Sequence, residues 1–562
     1  MMPGSDKDRA LHVAQAKLSG GLAPEAMGLA LADWSLHIAN QPSKRAALVK
    51  RALADMKAFW LQAMGLPQPP PNQDIHDHRF AHPTWNQPGY ALLRDAYLRS
   101  EHWWQEATTD IDGMTRQNQQ MISFLTRQMI DAASPVNIPL LNPQIIETTR
   151  LSHGENIRQG LENFLADMAA VEQPPLQHIP GQDVAITPGE VIFRNHLIEL
   201  IQYNPSTATV HPEPILIIPA WIMKYYILDL SPENSLIRYL VAAGYTVFCI
   251  SWLNPQTKDR DLGLDDYRRD GVMAAIDAVS AICADAKIHA LGYCLGGTLL
   301  SITAAALARD GDTRIAGLTM LAAQTDFTEA GELKVFISEP QLALLDDVMG
   351  EAGYLDGAKM GGSFAMLRAN DMIWSRISHR YFLGEKTHES DMASWDADTT
   401  RMPYRMHSQY LRKLYLHNDL AEGRLNVEGK PVIISQIKVP CFIVSAETDW
   451  VAPWRSVHKF MLLNAGDITF ILASGGHNGG IVSVPGTPHR HYRAMRRKPG
   501  EAYQSTEDFM ATAKLTENSW WPALVEFLDL YSSRATSPPA MGNPKAGYKK
   551  LEPAPGQYVL QR

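Results

Sequence analysis

The sequence predicts an α/β fold with a mostly parallel sheet, preceded by an α-helical domain and interrupted by a long insertion. Three observations carry that expectation. Helical patterns without strand-like runs fill the chain up to about residue 185. Short, wholly apolar runs then alternate with helical ones, as expected for strands buried on both faces and linked by crossover helices. A stretch from about 326 to 436 breaks that alternation and is too long for a structureless loop.

Taken in order, the segment from Pro24 to Met64 carries apolar residues at helical spacing and predicts two helices, followed by a proline-rich linker from Leu66 to Asn72. Further helices are expected from Tyr90 to about Asp131 and from Asn156 to Val171. Strands are predicted at Pro214–Pro219, Thr246–Ile250, Ile288–Tyr293, Leu318–Ala323, Cys441–Ser445 and Ile468–Ala473. Helices at Ser235–Ala243, Tyr267–Ala284 and Gly297–Leu307 separate several of them and complete βαβ units. The expected domains are therefore 1–185, helical, and 186–562, α/β, with an inserted lid at about 326–436.

Composition narrows the function classes. The chain has 562 residues, 45% hydrophobic and 20% charged, which supplies a large core and excludes general disorder. Its net charge is −9 and it has no long basic stripe; Arg496-Arg497-Lys498 is too short to track phosphates, so nucleic-acid binding is not expected. The cysteines Cys249, Cys283, Cys294 and Cys441 lack the paired spacing of a disulfide framework or zinc site, and a reducing cytoplasm fits them. The first residues lack the apolar core of a signal peptide, and no apolar run reaches the ~18 residues of a transmembrane helix. His76-Asp77-His78 has no further ligands nearby and reads as solvated polar residues. No dinucleotide fingerprint or phosphate loop sits in a strand–helix context, so neither cofactor nor metal is expected.

The chemistry centres on Gly292-Tyr293-Cys294-Leu295-Gly296, a G-x-C-x-G run at the end of a predicted strand and the start of a predicted helix. That is the context of the nucleophile elbow of an α/β-hydrolase fold. Cys294 would be the nucleophile, its thiolate favoured by the helix N-terminus, and the Leu295 N–H would form half of an oxyanion hole. A small core cysteine is the plainer reading, and it suits Cys249, Cys283 and Cys441. In this fold the acid and then the histidine follow the nucleophile, on loops after late strands. Glu447 and Asp449 both lie past the strand at Cys441–Ser445; Asp449 is preferred because Glu447 can still belong to the strand. His477 lies in the glycine-rich loop Ser474–Gly480 after the next strand. Taken singly, Asp449 reads equally as a turn-former and His477 as a loop histidine bonded to backbone; their shared order and strand-end placement outweigh this. The second oxyanion donor is expected in the loop Pro219–Lys224, from the backbone of Trp221 or Ile222.

With these residues in place, the sequence resembles the polyhydroxyalkanoate synthases, specifically their single-subunit class I type. The resemblance covers most of the chain. It includes the elbow, the run Lys224–Leu230 (KYYILDL), Ser251–Pro255, Asn370–Trp374 in the expected lid and Ala452-Pro453-Trp454. It extends to Ser519–Pro522, the tail Leu551–Val559, and Asp77–Phe80 followed by Trp85. Two departures stand out: a second glycine precedes His477, and Trp221 sits where some members carry cysteine.

The resemblance implies acyl transfer from (R)-3-hydroxyacyl-CoA, 3-hydroxybutyryl-CoA in the first instance, to Cys294, with Asp449 and His477 as acid and base. CoA is then part of the substrate and a product rather than a cofactor. The implied partners are the growing polyester and its granule surface, phasin-type granule proteins, and a second copy of the chain; the implied location is the cytoplasm, on granules. Two other readings stay open at this point. One is a depolymerase or thioesterase of the same fold, in which water deacylates the cysteine. The other is a catalytically weak granule-associated scaffold.

Overall fold

The computed structural model describes residues 6–69, 71, 77–169, 176–284, 286–386 and 390–562. These residues fall into two units. One holds the described part of 1–175 together with 333–345 and 359–388; the other holds 176–332, 346–358 and 389–562. No helix among the described residues is long and apolar enough to cross a membrane.

The first unit is built on helices α1 (Asp6–Leu18), α2 (Pro24–Ala39), α3 (Pro42–Ala63), α4 (Pro88–Thr108), α5 (Arg116–Ala132), α6 (Pro143–Leu151) and α7 (Glu155–Ala169). Proline opens α2, α3, α4 and α6, where its fixed φ suits the first turn and its missing N–H is no loss. The helical region expected from Tyr90 to about Asp131 consists of two helices. Gly113, at φ 81°, turns the chain between them, and the Thr115 side chain caps α5 by accepting from the Asn118 N–H at 3.3 Å. Residues 359–388 join this unit through carbonyls: Arg127 donates to Leu367 O at 3.1 Å and Asn156 Nδ2 to Phe382 O at 2.7 Å. Before α4, Arg79 pairs with Asp77 at 2.8 Å and Glu101 at 2.7 Å, while Phe80 meets Trp85 edge-on with ring centroids 4.9 Å apart.

The second unit is organised by one sheet. Its strands in chain order are β1 (Gly189–Arg194), β2 (Ile198–Tyr203), β3 (Ile215–Ile218), β4 (Val247–Trp252), β5 (Ile288–Tyr293), β6 (Ile315–Leu321), β7 (Cys441–Ala446), β8 (Ile468–Ala473), β9 (His491–Arg497), β10 (Lys514–Glu517) and β11 (Glu552–Pro553). Across the sheet they run β10-β9-β8-β7-β6-β5-β3-β4-β2-β1-β11. The six from β4 to β8 through β3, β5, β6 and β7 are parallel; both flanks are antiparallel. All four residues of β3 are buried, and each Ile or Leu so buried contributes about 1.5–3 kcal/mol.

Every parallel strand matches a predicted run, whereas the five antiparallel strands were not expected. In β2, Glu199 and Gln202 interrupt the apolar pattern. Both are buried and satisfied by residues far along the chain: Glu199 accepts the N–H groups of Gln557 and Tyr558, and Gln202 pairs with Ala540 O and the Gly542 N–H. In β9 most residues are half-buried, so no apolar run marks them.

Between β6 and β7 the chain is largely helical. Its elements include Glu339–Ala352, Gly357–Leu367, Asp391–Ala397 and Tyr404–Tyr410, with short paired segments at Tyr354–Leu355 and Met402–Pro403. This stretch is shared between the two units, 333–345 and 359–388 going to the first and the remainder to the second.

Candidate functional site

β5 ends at Tyr293, and Cys294 turns the chain into the helix Leu295–Arg309. Cys294 has φ 51° and ψ −123°, a conformation costing a side-chain-bearing residue about 1–3 kcal/mol and persisting only where the surroundings enforce it. Here the enforcement is visible. The Cys294 N–H donates to Leu321 O at 2.8 Å. A Cβ at Gly296 would lie 2.1 Å from Ile218 O, and one at Gly292 would lie 2.4 Å from the Gly297 Cα, so neither position accepts a side chain. Cys294 is the one cysteine of the four that is not buried. Burial pushes the thiols of Cys283 and Cys441 up to about 12 and holds that of Cys249 well above its ordinary value, which makes them inert.

Asp449 follows β7, and its side chain is fully buried. Its Oδ1 accepts the N–H groups of Val451 at 2.9 Å and Ala452 at 2.8 Å, and its Oδ2 accepts from His477 Nδ1 at 2.7 Å. Glu447, the other acid available in the sequence, is occupied elsewhere: it meets His491 Nε2 at 3.1 Å. His477 follows β8 in a loop that Gly475 bends at φ 101° and that the Thr448 N–H anchors by donating to Gly475 O at 3.0 Å. Burial alone would lower the basicity of His477. The negative charges of Asp449 and Cys294, with the hydrogen bond to Asp449, outweigh it and hold the imidazole pKa well above its ordinary value. Because Nδ1 serves Asp449, Nε2 is the nitrogen left for the thiol.

Leu295 opens its helix, so its N–H has no carbonyl one turn back to bond and remains available beside the sulfur. The loop carrying Trp221 and Ile222 is brought against the elbow, since Pro219 O lies 2.5 Å from where a Gly296 Cβ would stand. Trp221 is buried, its carbonyl accepts from Thr400 Oγ1 at 3.1 Å, and Ile222 is half-buried.

Three neighbours of the site escaped the sequence reading. Tyr293 donates to Asn478 Oδ1 at 2.7 Å and lies 5.8 Å from the His477 ring, fixing the loop after His477. Tyr410 and Tyr415, 5.4 Å apart, come from the long stretch between β6 and β7. Burial, first, then their mutual contact and the charge of Cys294 push the Tyr410 phenol well above its usual range, which places it within electrostatic reach of the thiol. No spacing or motif marks either tyrosine; only the fold brings them to Cys294. Of His76-Asp77-His78, His76 lies outside the described residues, and Asp77 is taken up by Arg79. No group of three or more His, Cys, Asp or Glu converges as a metal cage among the described residues.

Comparison with known proteins agrees with this fold. Residues 5–44 match the family described as the poly-beta-hydroxybutyrate polymerase N terminal, residues 76–240 the poly-beta-hydroxybutyrate polymerase N-terminus, and residues 213–483 the alpha/beta hydrolase fold. A poly(3-hydroxyalkanoate) polymerase of Methylorubrum extorquens is 40% identical over 503 residues, covering 88% of this chain and 82% of its own. Poly(3-hydroxyalkanoate) polymerase subunits of Rhizobium meliloti and Cupriavidus necator are 35% and 34% identical, covering 90% and 92% of this chain and 84% and 88% of theirs. An α/β-hydrolase sheet with a cysteine at its elbow, an N-terminal helical region and this breadth of identity lead to one assignment: the chain belongs to the poly(3-hydroxyalkanoate) polymerase family.

Proposed function

We propose that this acyltransferase polymerises (R)-3-hydroxyacyl-CoA, 3-hydroxybutyryl-CoA among its substrates, through a thioester on Cys294. The observation that supports the reading most is the His477 ring, held at Nδ1 by Asp449 at 2.7 Å and near enough to Cys294 for the sulfur's charge to raise its basicity. In the first step the Cys294 sulfur attacks the thioester carbonyl. The oxyanion that forms is met by the Leu295 N–H and by a backbone N–H of Trp221 or Ile222. The bond to the CoA sulfur breaks, CoA leaves with the proton held by His477, and the acyl group stays on Cys294. In the second step the 3-hydroxyl of the next unit attacks that acyl group, His477 takes the hydroxyl proton, and an ester bond replaces the thioester. Asp449 keeps Nδ1 protonated and stabilises the imidazolium. The apolar face of the helical unit would meet the polyester granule in the cytoplasm, with phasin-type proteins and a second copy of the chain as partners, and the stretch between β6 and β7 would gate the site.

The test is incubation of the purified protein with (R)-3-hydroxybutyryl-CoA, following free CoA and the product. Insoluble polyester is the expected product. Soluble 3-hydroxybutyrate would instead mean a hydrolase, and no CoA release a scaffold. Cys294→Ala is expected to abolish CoA release while Cys249→Ala retains it; equal loss in both would reject Cys294 as nucleophile.

A further inference from the structure

Trp221 is 1% exposed, yet its indole Nε1–H, itself buried, has no hydrogen-bond partner among the described residues. Leaving a buried donor unpaired costs about 1–3 kcal/mol, so an orphan N–H in a closely packed interior calls for a reason. Its position supplies one. The preceding residues Ile218 and Pro219 touch the elbow at Gly296. The indole packs against Tyr267, at 5.7 Å, and stands edge-on to Tyr410, at 5.9 Å; Tyr410 in turn feels the charge of Cys294. Pro219 O is already satisfied by the Trp252 indole at 2.9 Å, and Trp395 Nε1 by Lys224 O at 2.8 Å. Of these three indoles around one loop, Trp221 alone keeps its donor unspent.

We infer that Trp221 is a substrate-binding residue whose indole N–H donates to the 3-oxygen of the bound 3-hydroxyacyl group. This deepens the proposed function and rests on Cys294 being the acylated residue. The acyl carbonyl is served by backbone N–H groups at the elbow and in the loop, which leaves the 3-oxygen as the polar atom of the acyl group still needing a partner once water is excluded. An indole N–H donates and cannot accept, so it binds that oxygen through a lone pair and makes no demand on the hydroxyl proton. The contact would discriminate 3-hydroxyacyl thioesters from unsubstituted ones of the same length.

The test compares (R)-3-hydroxybutyryl-CoA with butyryl-CoA in single-turnover release of CoA. In the native enzyme the hydroxylated thioester is expected to acylate Cys294 at least tenfold faster at subsaturating concentration. Trp221→Phe, which keeps the ring and removes the donor, is expected to erase most of that preference by slowing the hydroxylated substrate more than the unsubstituted one. Trp221→His, which keeps a ring N–H, is expected to restore part of it. A Phe variant that retains the full preference, or that slows both thioesters equally, overturns the assignment. Should the Phe variant fail to fold, the native comparison decides, and equal rates for the two thioesters overturn it. If the native enzyme releases CoA from neither, the proposed function fails and the role of Trp221, which rests on it, falls with it.

Discussion

At the scale of single residues, the site depends on charge held in a dry place. Asp449 is buried and its Oδ1 is saturated by two backbone N–H groups, so its orientation toward His477 does not depend on a mobile side chain. Asp449→Asn keeps the shape and removes the charge, and is expected to lower the rate of CoA release on the order of 10⁴-fold in a steady-state assay. The same substitution has a pH signature. His477 binds its proton more tightly folded than unfolded, so its contribution to stability is complete below the ordinary imidazole value of 6.5 and is lost as pH rises through its raised native value. Without the Asp449 charge that loss is expected at lower pH, visible as an earlier alkaline decline in denaturant midpoints.

At the scale of elements, the run Tyr225–Leu228 and the tail 551–562 hold each other in place. Lys224 is 3% exposed and donates to the carbonyls of Tyr558, at 3.3 Å, and Gln561. Burial, reinforced by the charges of Arg401 and Arg562 and only partly offset by Asp398, pulls its ammonium down to about 8. Holding that charge at neutral pH costs roughly 3 kcal/mol, which the carbonyl contacts offset. Between about 8 and the usual lysine value of 10.5 the unfolded chain binds more protons than the folded one, so this residue makes stability increase as pH rises through that window. Lys224→Met is expected to flatten that part of the urea-unfolding profile. It is also expected to speed proteolysis of the tail, since the carbonyls at 558 and 561 lose their donor.

At the scale of the whole molecule, the helical unit carries an apolar stripe that its own packing leaves open. Val49, Leu53, Met56 and Trp60 recur at helical spacing along α3, and all four are more than half exposed. A stripe of this kind on a monomer marks an interaction surface. With the polyester as partner, Leu53→Ser combined with Trp60→Ser is expected to reduce sedimentation of the protein with polymer particles severalfold. CoA release from dissolved substrate is expected to stay within about twofold, because these positions lie in the unit that does not contain Cys294.

The parallel centre of the sheet and the strand-end placement of Cys294, Asp449 and His477 could be read directly from the sequence. Strands buried on both faces are continuous apolar runs, and a sharp strand–helix turn demands glycines at fixed offsets, as Gly292 and Gly296 show. Both signals are local. Composition and local pattern also set the helical character of the first third and its division at the prolines. What only the tertiary structure decided were matters of pairing between distant residues. It gave Glu447 to His491 and Asp449 to His477, a choice that two acids two positions apart leave open. It satisfied Glu199 and Gln202 inside β2 with groups from the tail, turning a polar-looking segment into a buried strand. It also carried Tyr410 and Tyr415 to Cys294 and left the Trp221 indole buried with its donor unused. The physical reason is common to all three: periodicity reports which face of a segment avoids water, whereas the partner of a buried polar group is chosen by folding and leaves no trace in the spacing.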